Sequence, residues 1–405
     1  MEALVLYEEI SQLLTLEGVV QKKGRRPVQS DLGCVENACM VVNADDNLIV
    51  WTGKGTDLPE TYKNLAHRFS GKGQVWIPEL VECHTHLIYG GTRHHDFALR
   101  CEGQTYQQIA AAGGGILTTM NATREAPPEL LLEQAAKDLA RFQKFGIGTL
   151  EIKTGYGLTL ESELRALEVI RALSDQAAMI LVPTFLPAHA TPPEYKGRTD
   201  SYVDLICAEW LPEVAKTGLA KFFDVFVEDG YFSPQQAHKL FLCALDHGLK
   251  LKLHSDQFTS LGGTKLGIEL GAFSIDHLDH ISKEDIRAFG ESNTVAVLLP
   301  GASLFTGTPY PPARALIDAG ARVALSTDYN PGTCPSRNLP LMTTIACTQM
   351  KMTVPEAIAA VTYNAAAALD LEDRVGSLIA GKEFRVCTLD TDSYEALPYC
   401  FGELE

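Results

Sequence analysis

Eight short apolar segments, most of them followed by a helix-like segment, recur along this chain and restrict the folds that it can adopt. Strands that alternate with helices are typical of a parallel sheet, because each connection crosses back over the sheet. Eight of them favour a closed (β/α)8 barrel, an α/β fold of the TIM type, over an open doubly wound sheet. The open sheet is the weaker alternative, since no glycine-rich dinucleotide fingerprint follows an early strand. The predicted barrel strands are residues 75–83, 149–153, 179–184, 222–227, 250–254, 273–276, 295–299 and 322–326.

The two ends of the chain are β-rich and fall outside this alternation. Residues 39–42 and 48–51 flank the turn-forming run 43–47, and 384–389 is a further strand candidate. We therefore predict a small β-sandwich domain built from residues 1–75 plus 370–405, and a barrel domain over residues 76–369. Two further helices, 338–350 and 355–369, are predicted after the eighth strand.

The composition narrows the classes of partner. A net charge of -17 over 405 residues disfavours nucleic acids and anionic membranes, whereas a small anionic substrate would need a local positive site. No apolar run of about 18 residues occurs, so no membrane span is predicted. The ten cysteines form no C-x-x-C pair, which favours a reducing, cytoplasmic location.

Histidine and aspartate residues follow the predicted strands where a barrel places its active site. His84 and His86 end the first strand and point to the same face, because side chains alternate along a strand. His254 ends the fifth strand and Asp328 the eighth. Taken singly, His254 could be a hydrogen-bonded core histidine and Asp328 a helix N-cap. Together they predict a site for one divalent metal ion, zinc or iron, with a position left for water.

Two of these strand ends also offer acid–base groups. Asp328 could take a proton from the water and pass it on, as a ligand whose second oxygen faces the water. His277, at the end of the sixth strand, is better placed to stabilise an oxyanion than to act as a fourth imidazole ligand. The alternative for His277 is a hydrogen-bonded loop anchor.

Several longer motifs resemble the amidohydrolase superfamily over nearly the whole chain. Within it, they are most similar to the enzymes that open the cyclic amide of 4-imidazolone-5-propanoate to N-formimidoyl-L-glutamate in histidine degradation. The His-x-His motif alone would indicate only the superfamily. The motifs that carry the closer resemblance are residues 82–93, Thr105-Tyr106, 109–117, 151–158, 253–257 and 326–333.

The resemblance also implies roles for individual residues. His84, His86, His254 and Asp328 match the metal ligands. Substrate contacts are implied for a further set: Arg93, Tyr156, His189, Asn330, Gly332 and Thr333. The guanidinium of Arg93 suits the propionate, and backbone N–H groups near Gly332 and Thr333 could share that carboxylate.

Two positions bear on the mechanism that the resemblance implies. Gln257 corresponds to glutamate in some members; because an amide cannot take a proton, it is excluded as the general base but can still bond the ring. Relatives with two metals usually carry a lysine at the end of the fourth strand. Here Glu228 stands there, which favours one metal and leaves Glu228 without an assigned role.

Two other functions stay open at this point. A deaminase of a heterocyclic base would keep the fold but would not need Arg93. A non-enzymatic scaffold usually loses metal ligands, and here the set is complete. A homodimer is expected by base rate and by resemblance.

Overall fold

The computed structural model describes residues 3–104, 108–109 and 113–403. Its strands, in chain order, are β1 (Leu4–Leu14), β2 (Cys34–Asn43), β3 (Leu48–Lys54), β4 (His67–Ser70), β5 (Val75–Pro78), β6 (Leu80–Glu82), β7 (Ile147–Lys153), β8 (Ile180–Ala188), β9 (Phe222–Val227), β10 (Lys250–Ser255), β11 (Ser274–His277), β12 (Val295–Leu298), β13 (Arg322–Leu325) and β14 (Val386–Leu389). The α-helices are Glu17–Gln21, His94–Cys101, Ile116–Glu125, Pro128–Gln143, Leu160–Ser174, Thr199–Leu205, Leu211–Thr217, Pro234–Asp246, Gly263–Glu269, Lys283–Glu291, Pro300–Thr306, Ala313–Ala319, Leu339–Gln349, Val354–Ala360, Tyr363–Ala368 and Ala396–Tyr399.

The eight strands from β6 to β13 form one parallel sheet in strict sequence order, which confirms the barrel prediction. Every residue of β9, β12 and β13 is buried, as expected for strands covered on one side by helices and on the other by the barrel interior. Because neighbouring strands are parallel, the carboxyl ends of all eight lie at one face of the barrel. The predicted ligands follow those ends.

The predicted first strand, residues 75–83, is wrong as a single barrel strand. Residues 75–78 form β5, which pairs with β1 and β14 in the small sheet, and only β6 joins the barrel. The chain changes sheets at Glu79, whose N–H donates to Arg385 O and whose Oε1 accepts from Thr149 Oγ1. A continuous apolar run indicates burial but not which sheet each residue joins.

The small sheet combines strands from both ends of the chain. Its order is β14-β5-β1-β2-β3, and β4 also pairs with β1. A bulge between Tyr7 and Ile10 divides β1, so that its first half pairs with β4 and its second half with β5. Buried apolar clusters lie around Met40 and around Val41, neighbours that point to opposite faces of β2.

The predicted helix 355–369 is two helices, Val354–Ala360 and Tyr363–Ala368. The interruption leaves the carbonyl of Val361 free to accept a hydrogen bond from the N–H of Val81, just after the first residue of β6. This contact links the segment between these two helices to the first barrel strand. Of the described helices, none is long and apolar enough to cross a membrane.

Candidate metal centre and substrate cavity

Four predicted ligands converge at the carboxyl end of the barrel. Asp328 Oδ1 lies 3.5 Å from His84 Nε2 and 3.8 Å from His86 Nε2. The Nε2 atoms of His86 and His254 are 3.4 Å apart. All four residues are buried. The barrel has therefore brought together side chains that are up to 244 positions apart in the sequence.

The hydrogen bonds of two of these imidazoles define their tautomers. His84 Nδ1 lies 2.6 Å from Asp276 Oδ2, and His254 Nδ1 lies 3.0 Å from Asp224 Oδ1. Ionised carboxylates only accept, so each Nδ1 carries the hydrogen and each Nε2 presents a lone pair to the cluster. His84 Nε2 is buried and has no hydrogen-bond partner among the described residues. Converging lone pairs without a donor fit a cation, and an N/O set of this kind suits zinc or ferrous iron.

Backbone strain marks two of the strand ends. Asp328 has φ 56° and His277 has φ 82°, both in the left-handed region that residues other than glycine rarely adopt. Such strain persists only where the surrounding structure enforces it, and it is enriched at functional sites. Here it turns both side chains toward the cluster.

His277 lies beside the donors. Its ring nitrogen, with those of His84 and His254, belongs to a group whose ligand atoms all lie within 4.8 Å of one another. Burial and the neighbouring His254 lower the pKa of His277 well below its ordinary value, so the imidazole is neutral. A neutral imidazole carries one N–H donor and one acceptor, which suits it to bond a developing oxyanion.

A cavity of about 690 Å³ opens onto this cluster. Of the twelve residues predicted for the site, all except His84 line it: His86, Arg93, Tyr156, His189, His254, Gln257, His277, Asp328, Asn330, Gly332 and Thr333. His84 lies behind them and is fully buried. Thr105-Tyr106 and residues 110–112 of the predicted motifs lie outside the described residues.

Arg93 is the cation of the cavity nearest to the strand-eight loop. Its Nε donates to Thr119 Oγ1 at 3.0 Å, and it hydrogen-bonds Tyr156. A Cβ on Gly332 would lie 2.7 Å from Arg93 Cζ, so this glycine lets the guanidinium rest against the loop. Among the described residues Arg93 has no carboxylate partner within 4.0 Å. Its charge is available to a ligand.

His189 and Gln257 offer complementary polar groups to a ligand. His189 Nδ1 lies 3.1 Å from Gly155 O, so it donates there and leaves Nε2 as an acceptor. Burial and the nearby His254 lower the pKa of His189 to about 3, which keeps the ring neutral. Gln257 lines the cavity, and its amide has no hydrogen-bond partner among the described residues.

The loop after β13 is closed by hydrogen bonds of its own. Asn330 Oδ1 accepts from the N–H groups of Gly332 at 2.7 Å and Thr333 at 2.8 Å. Those two N–H groups, which the sequence suggested for the substrate carboxylate, are therefore engaged inside the loop. Asn330 Nδ2 in turn donates to Asp328 O at 2.7 Å. Asn330 fixes the shape of the loop that carries Asp328.

The second oxygen of Asp328 is held by the same loop. Thr333 Oγ1 donates to Asp328 Oδ2 at 3.0 Å, the oxygen that the sequence analysis expected to face the water. The hydroxyl orients the carboxylate so that Oδ1 faces the histidines. Burial raises the pKa of Asp328 to about 7, although His254 and the loop hydrogen bonds oppose the rise.

Glu228 forms hydrogen bonds with the loops around it. Its carboxylate accepts from the N–H groups of Asp229 at 2.9 Å, Phe258 at 2.8 Å and Thr259 at 3.2 Å, and also from the hydroxyl of Thr259. It joins the loops after β9 and β10. The sequence left Glu228 without a role, and these contacts place it in the cavity wall.

A layer of buried charges inside the barrel was not predicted as part of the site. It contains Glu151, Lys153, Asp224, Lys252 and Asp276, all fully buried. The signal was present in the sequence. Lys252 precedes His254 by two residues, and in a strand this spacing places both side chains on the barrel's interior face. A charged residue on the same face of an otherwise apolar strand as a predicted ligand indicates that the barrel interior next to that ligand is charged.

Comparisons with known proteins agree with this architecture. The model of the Amidohydrolase family matches residues 236–401. A guanine deaminase from C. acetobutylicum superposes with a TM-score of 0.70 at 15% identity, over 98% of this chain and 96% of that one. The atrazine chlorohydrolase TrzN from Arthrobacter aurescens, complexed with zinc and atraton, gives a TM-score of 0.68 at 16% identity, over 97% and 91% of the chains. At these identities the likeness shows the fold alone.

The fold and the cluster at its carboxyl face define a hydrolase of the amidohydrolase class. Curated relatives narrow the class. The imidazolonepropionase of Bdellovibrio bacteriovorus is 44% identical over 401 residues, 98% of this chain and 93% of the relative. That of Cupriavidus necator is 43% identical over 394 residues, 97% of this chain and 94% of the relative. The chain belongs to the imidazolonepropionase family.

Proposed function

We propose that this chain is a metal-dependent hydrolase that opens the cyclic amide of 4-imidazolone-5-propanoate to N-formimidoyl-L-glutamate. One observation carries the proposal: a single cavity opens onto the converging donors of His84, His86, His254 and Asp328 and also holds the guanidinium of Arg93. That guanidinium has no carboxylate partner within 4.0 Å among the described residues. A hydrolysable ring that bears a carboxylate matches both features. The family name of the relatives is consistent with this substrate.

The cavity residues supply binding and orientation. The Arg93 guanidinium receives the propionate, with Tyr156 beside it. His189, neutral and with Nε2 as an acceptor, takes a hydrogen bond from a ring N–H. Gln257 contributes its free amide to the ring. Asn330, Gly332 and Thr333 shape the wall against which Arg93 lies.

The chemical step needs a nucleophile, a proton carrier and an oxyanion partner. His84, His86, His254 and Asp328 would hold a divalent ion, which would supply a water molecule of lowered pKa and a Lewis acid for the ring carbonyl. Asp328 takes a proton from the water and delivers it to the ring nitrogen. The C–N bond breaks and the water oxygen stays on the carbonyl carbon. His277 bonds the negative charge that develops on the carbonyl oxygen.

The metal is zinc or iron in this proposal, since both accept three imidazoles and one carboxylate. We further propose a cytoplasmic homodimer that binds neither nucleic acid nor membrane, in keeping with the charge of -17. Light scattering on the purified protein would test the dimer.

The test is elemental analysis combined with a substrate assay. We expect about one equivalent of zinc or iron per chain, with loss of imidazolonepropionate absorbance and formation of N-formimidoyl-L-glutamate. Ammonia release from a heterocyclic base, without turnover of imidazolonepropionate, would instead indicate the deaminase alternative. A protein that binds no metal and turns over neither substrate would contradict the proposal.

A further inference from the structure

A buried lysine lies close to the carboxylate partners of two of the proposed metal ligands. Lys153, on β7, has its Nζ 2.8 Å from Asp224 Oδ2 and 3.7 Å from Asp276 Oδ2. These are the carboxylates that hold His254 and His84 through Nδ1. We propose that Lys153 is a positioning residue of the metal centre, which fixes two ligand imidazoles at once by holding both of their carboxylate partners.

Among the described residues, Lys153 Nζ has only one further carboxylate within 4.0 Å, and that carboxylate does not bond a ligand histidine. Its remaining carboxylate neighbour is Glu151, with Oε2 at 3.0 Å. The side chain is fully buried, so water does not compete for the ammonium. Burial lowers the pKa of Lys153, but attraction by Asp224, Glu151 and Asp276 outweighs it and raises the pKa above its ordinary value. Lys153 therefore stays charged and acts on the metal only through its neighbours.

An imidazole ligand is effective when its ring is held so that the lone pair points at the ion. A carboxylate at Nδ1 fixes both the tautomer and the ring plane, and losing such a partner typically costs 10–100-fold in metal affinity. Asp224 and Asp276 can fix the rings only if the carboxylates are themselves held. Asp276 Oδ2, which faces His84, lies 3.7 Å from Lys153 Nζ, and Asp276 Oδ1 accepts from Ser274 Oγ at 2.6 Å. Lys153 contacts Oδ2 of Asp224 while Oδ1 faces His254, so each oxygen has a separate task.

A neighbouring lysine provides a matched comparison. Lys252 is equally buried and belongs to the same charge layer, and it contacts Glu151 Oε2 at 2.8 Å and Cys83 O at 2.9 Å. Burial raises the pKa of Asp276, and attraction by Lys252 and by Lys153 opposes that rise. However, the described contacts of Lys252 within 4.0 Å do not include Asp224 or Asp276. The two lysines share charge and burial but differ in what they hold.

The sign of the effect separates positioning from simple electrostatics. Removing a positive charge near a bound cation reduces repulsion, so charge alone predicts tighter metal binding in either variant. Positioning predicts weaker binding, and only for Lys153. This inference rests on the proposed metal site, and the wild-type protein in the same experiment tests that site separately.

The experiment titrates Zn²⁺ into chelator-treated full-length protein, in competition with a chromogenic chelator, for wild type, Lys153→Met and Lys252→Met. We expect the Zn²⁺ dissociation constant to rise about 10–100-fold in Lys153→Met and not to rise in Lys252→Met. In the Co²⁺-substituted proteins, the visible d–d bands should shift in Lys153→Met and stay at the wild-type positions in Lys252→Met. General damage to the fold would not be expected to shift these bands in Lys153→Met while leaving them unchanged in Lys252→Met.

Three outcomes would overturn the inference: unchanged or tighter Zn²⁺ binding in Lys153→Met, an equal loss in both variants, or identical Co²⁺ spectra. If Lys153→Met does not fold, Lys153→Leu also removes both the charge and the N–H donors, and wild-type Zn²⁺ affinity in that variant would also overturn the inference. A wild-type protein that binds no Zn²⁺ would contradict the metal site itself, and this inference with it.

Discussion

At the scale of single residues, the site combines groups whose protonation states differ because their surroundings differ. Burial keeps His189 and His277 neutral, and burial also raises the pKa of the Asp328 carboxyl above its ordinary value. A proton carrier works best when its pKa lies near the working pH, and neutral imidazoles work as hydrogen-bonding groups. The different tasks of one proton-carrying carboxyl group and two hydrogen-bonding imidazoles thus follow from where the fold places them.

Asp328→Asn should fold and retain most of its shape but lose turnover, since an amide cannot take a proton. We expect kcat to fall by about 10²–10⁴-fold. Steady-state kinetics on protein of known metal content would check this, with thermal unfolding as a control for folding. A variant with wild-type kcat would exclude the proton-carrier role.

Arg93→Ala should mainly raise KM for imidazolonepropionate. Hydrogen bonds to a charged group contribute about 1.5–3 kcal/mol, which corresponds to roughly 10–100-fold in kcat/KM. Arg171→Ala is a matched control, because it removes the same charge from a side chain that is 59% exposed on another helix. An unchanged KM in Arg93→Ala would show that the carboxylate binds elsewhere.

A second variant tests the same assignment without removing the charge. In Gly332→Ala the new methyl group would lie 2.7 Å from Arg93 Cζ, so the guanidinium must move. We expect KM to rise while the metal content stays at the wild-type level. Wild-type KM in this variant would mean that the position of Arg93 against the loop does not matter.

At the scale of elements, helix ends and loops hold the cavity wall. Glu163, in the first turn of the helix Leu160–Ser174, accepts from the N–H groups of Gly155 at 2.9 Å, Gly157 at 3.0 Å and Leu158 at 2.8 Å. These three residues surround Tyr156. One buried carboxylate therefore sets the course of the loop after β7.

Glu163→Ala should lower stability by about 2–4 kcal/mol, because three N–H groups lose a charged acceptor. It should also raise KM through displacement of Tyr156. Denaturant unfolding and steady-state kinetics would measure the two effects. Glu161→Ala, an exposed acid in the same helical turn, is the control; equal losses in both variants would point to the helix dipole alone.

The sequence predicted most of the barrel strands, because buried strands leave local patterns. It also pointed to the strand-end histidines that the structure brings together, although their role as ligands stays a prediction. It could not predict the sheet change at Glu79 or the break at Val361, since both depend on partners far away in the chain. Nor did it assign Lys153 or Asp224, whose roles depend on contacts between strands. The hydrogen bonds that Asn330 forms within its loop could not be predicted either, because a motif gives residue types and not the atoms that bond.

At the scale of the whole molecule, the first part of the chain also fastens the barrel. Arg25, beyond the helix Glu17–Gln21, donates to the carbonyls of Gly290, Ser292 and Gly320. These carbonyls lie at the ends of helices that lead into β12 and β13. They therefore belong to the barrel face opposite the candidate metal centre. Contacts at that face of a barrel contribute to stability and not to catalysis.

Arg25→Ala should lower the free energy of unfolding by about 2–4 kcal/mol, since three carbonyls lose a charged donor. Because the contacts are remote from the cavity, kcat and KM should stay at wild-type values below the unfolding transition. Lys23→Ala, an exposed neighbour, provides the comparison in the same unfolding experiment. A change in KM with unaltered stability would contradict this assignment.

Glu79 stands alone between β5 and β6, and its bonds reach both Arg385 and Thr149. With one residue between two sheets, there is no linker that could act as a hinge. A tilt of the small sheet would therefore move β6, and with it His84, which lies two residues after the end of that strand. Anyone who wishes to swap or delete the terminal sheet must therefore expect to disturb the catalytic face as well.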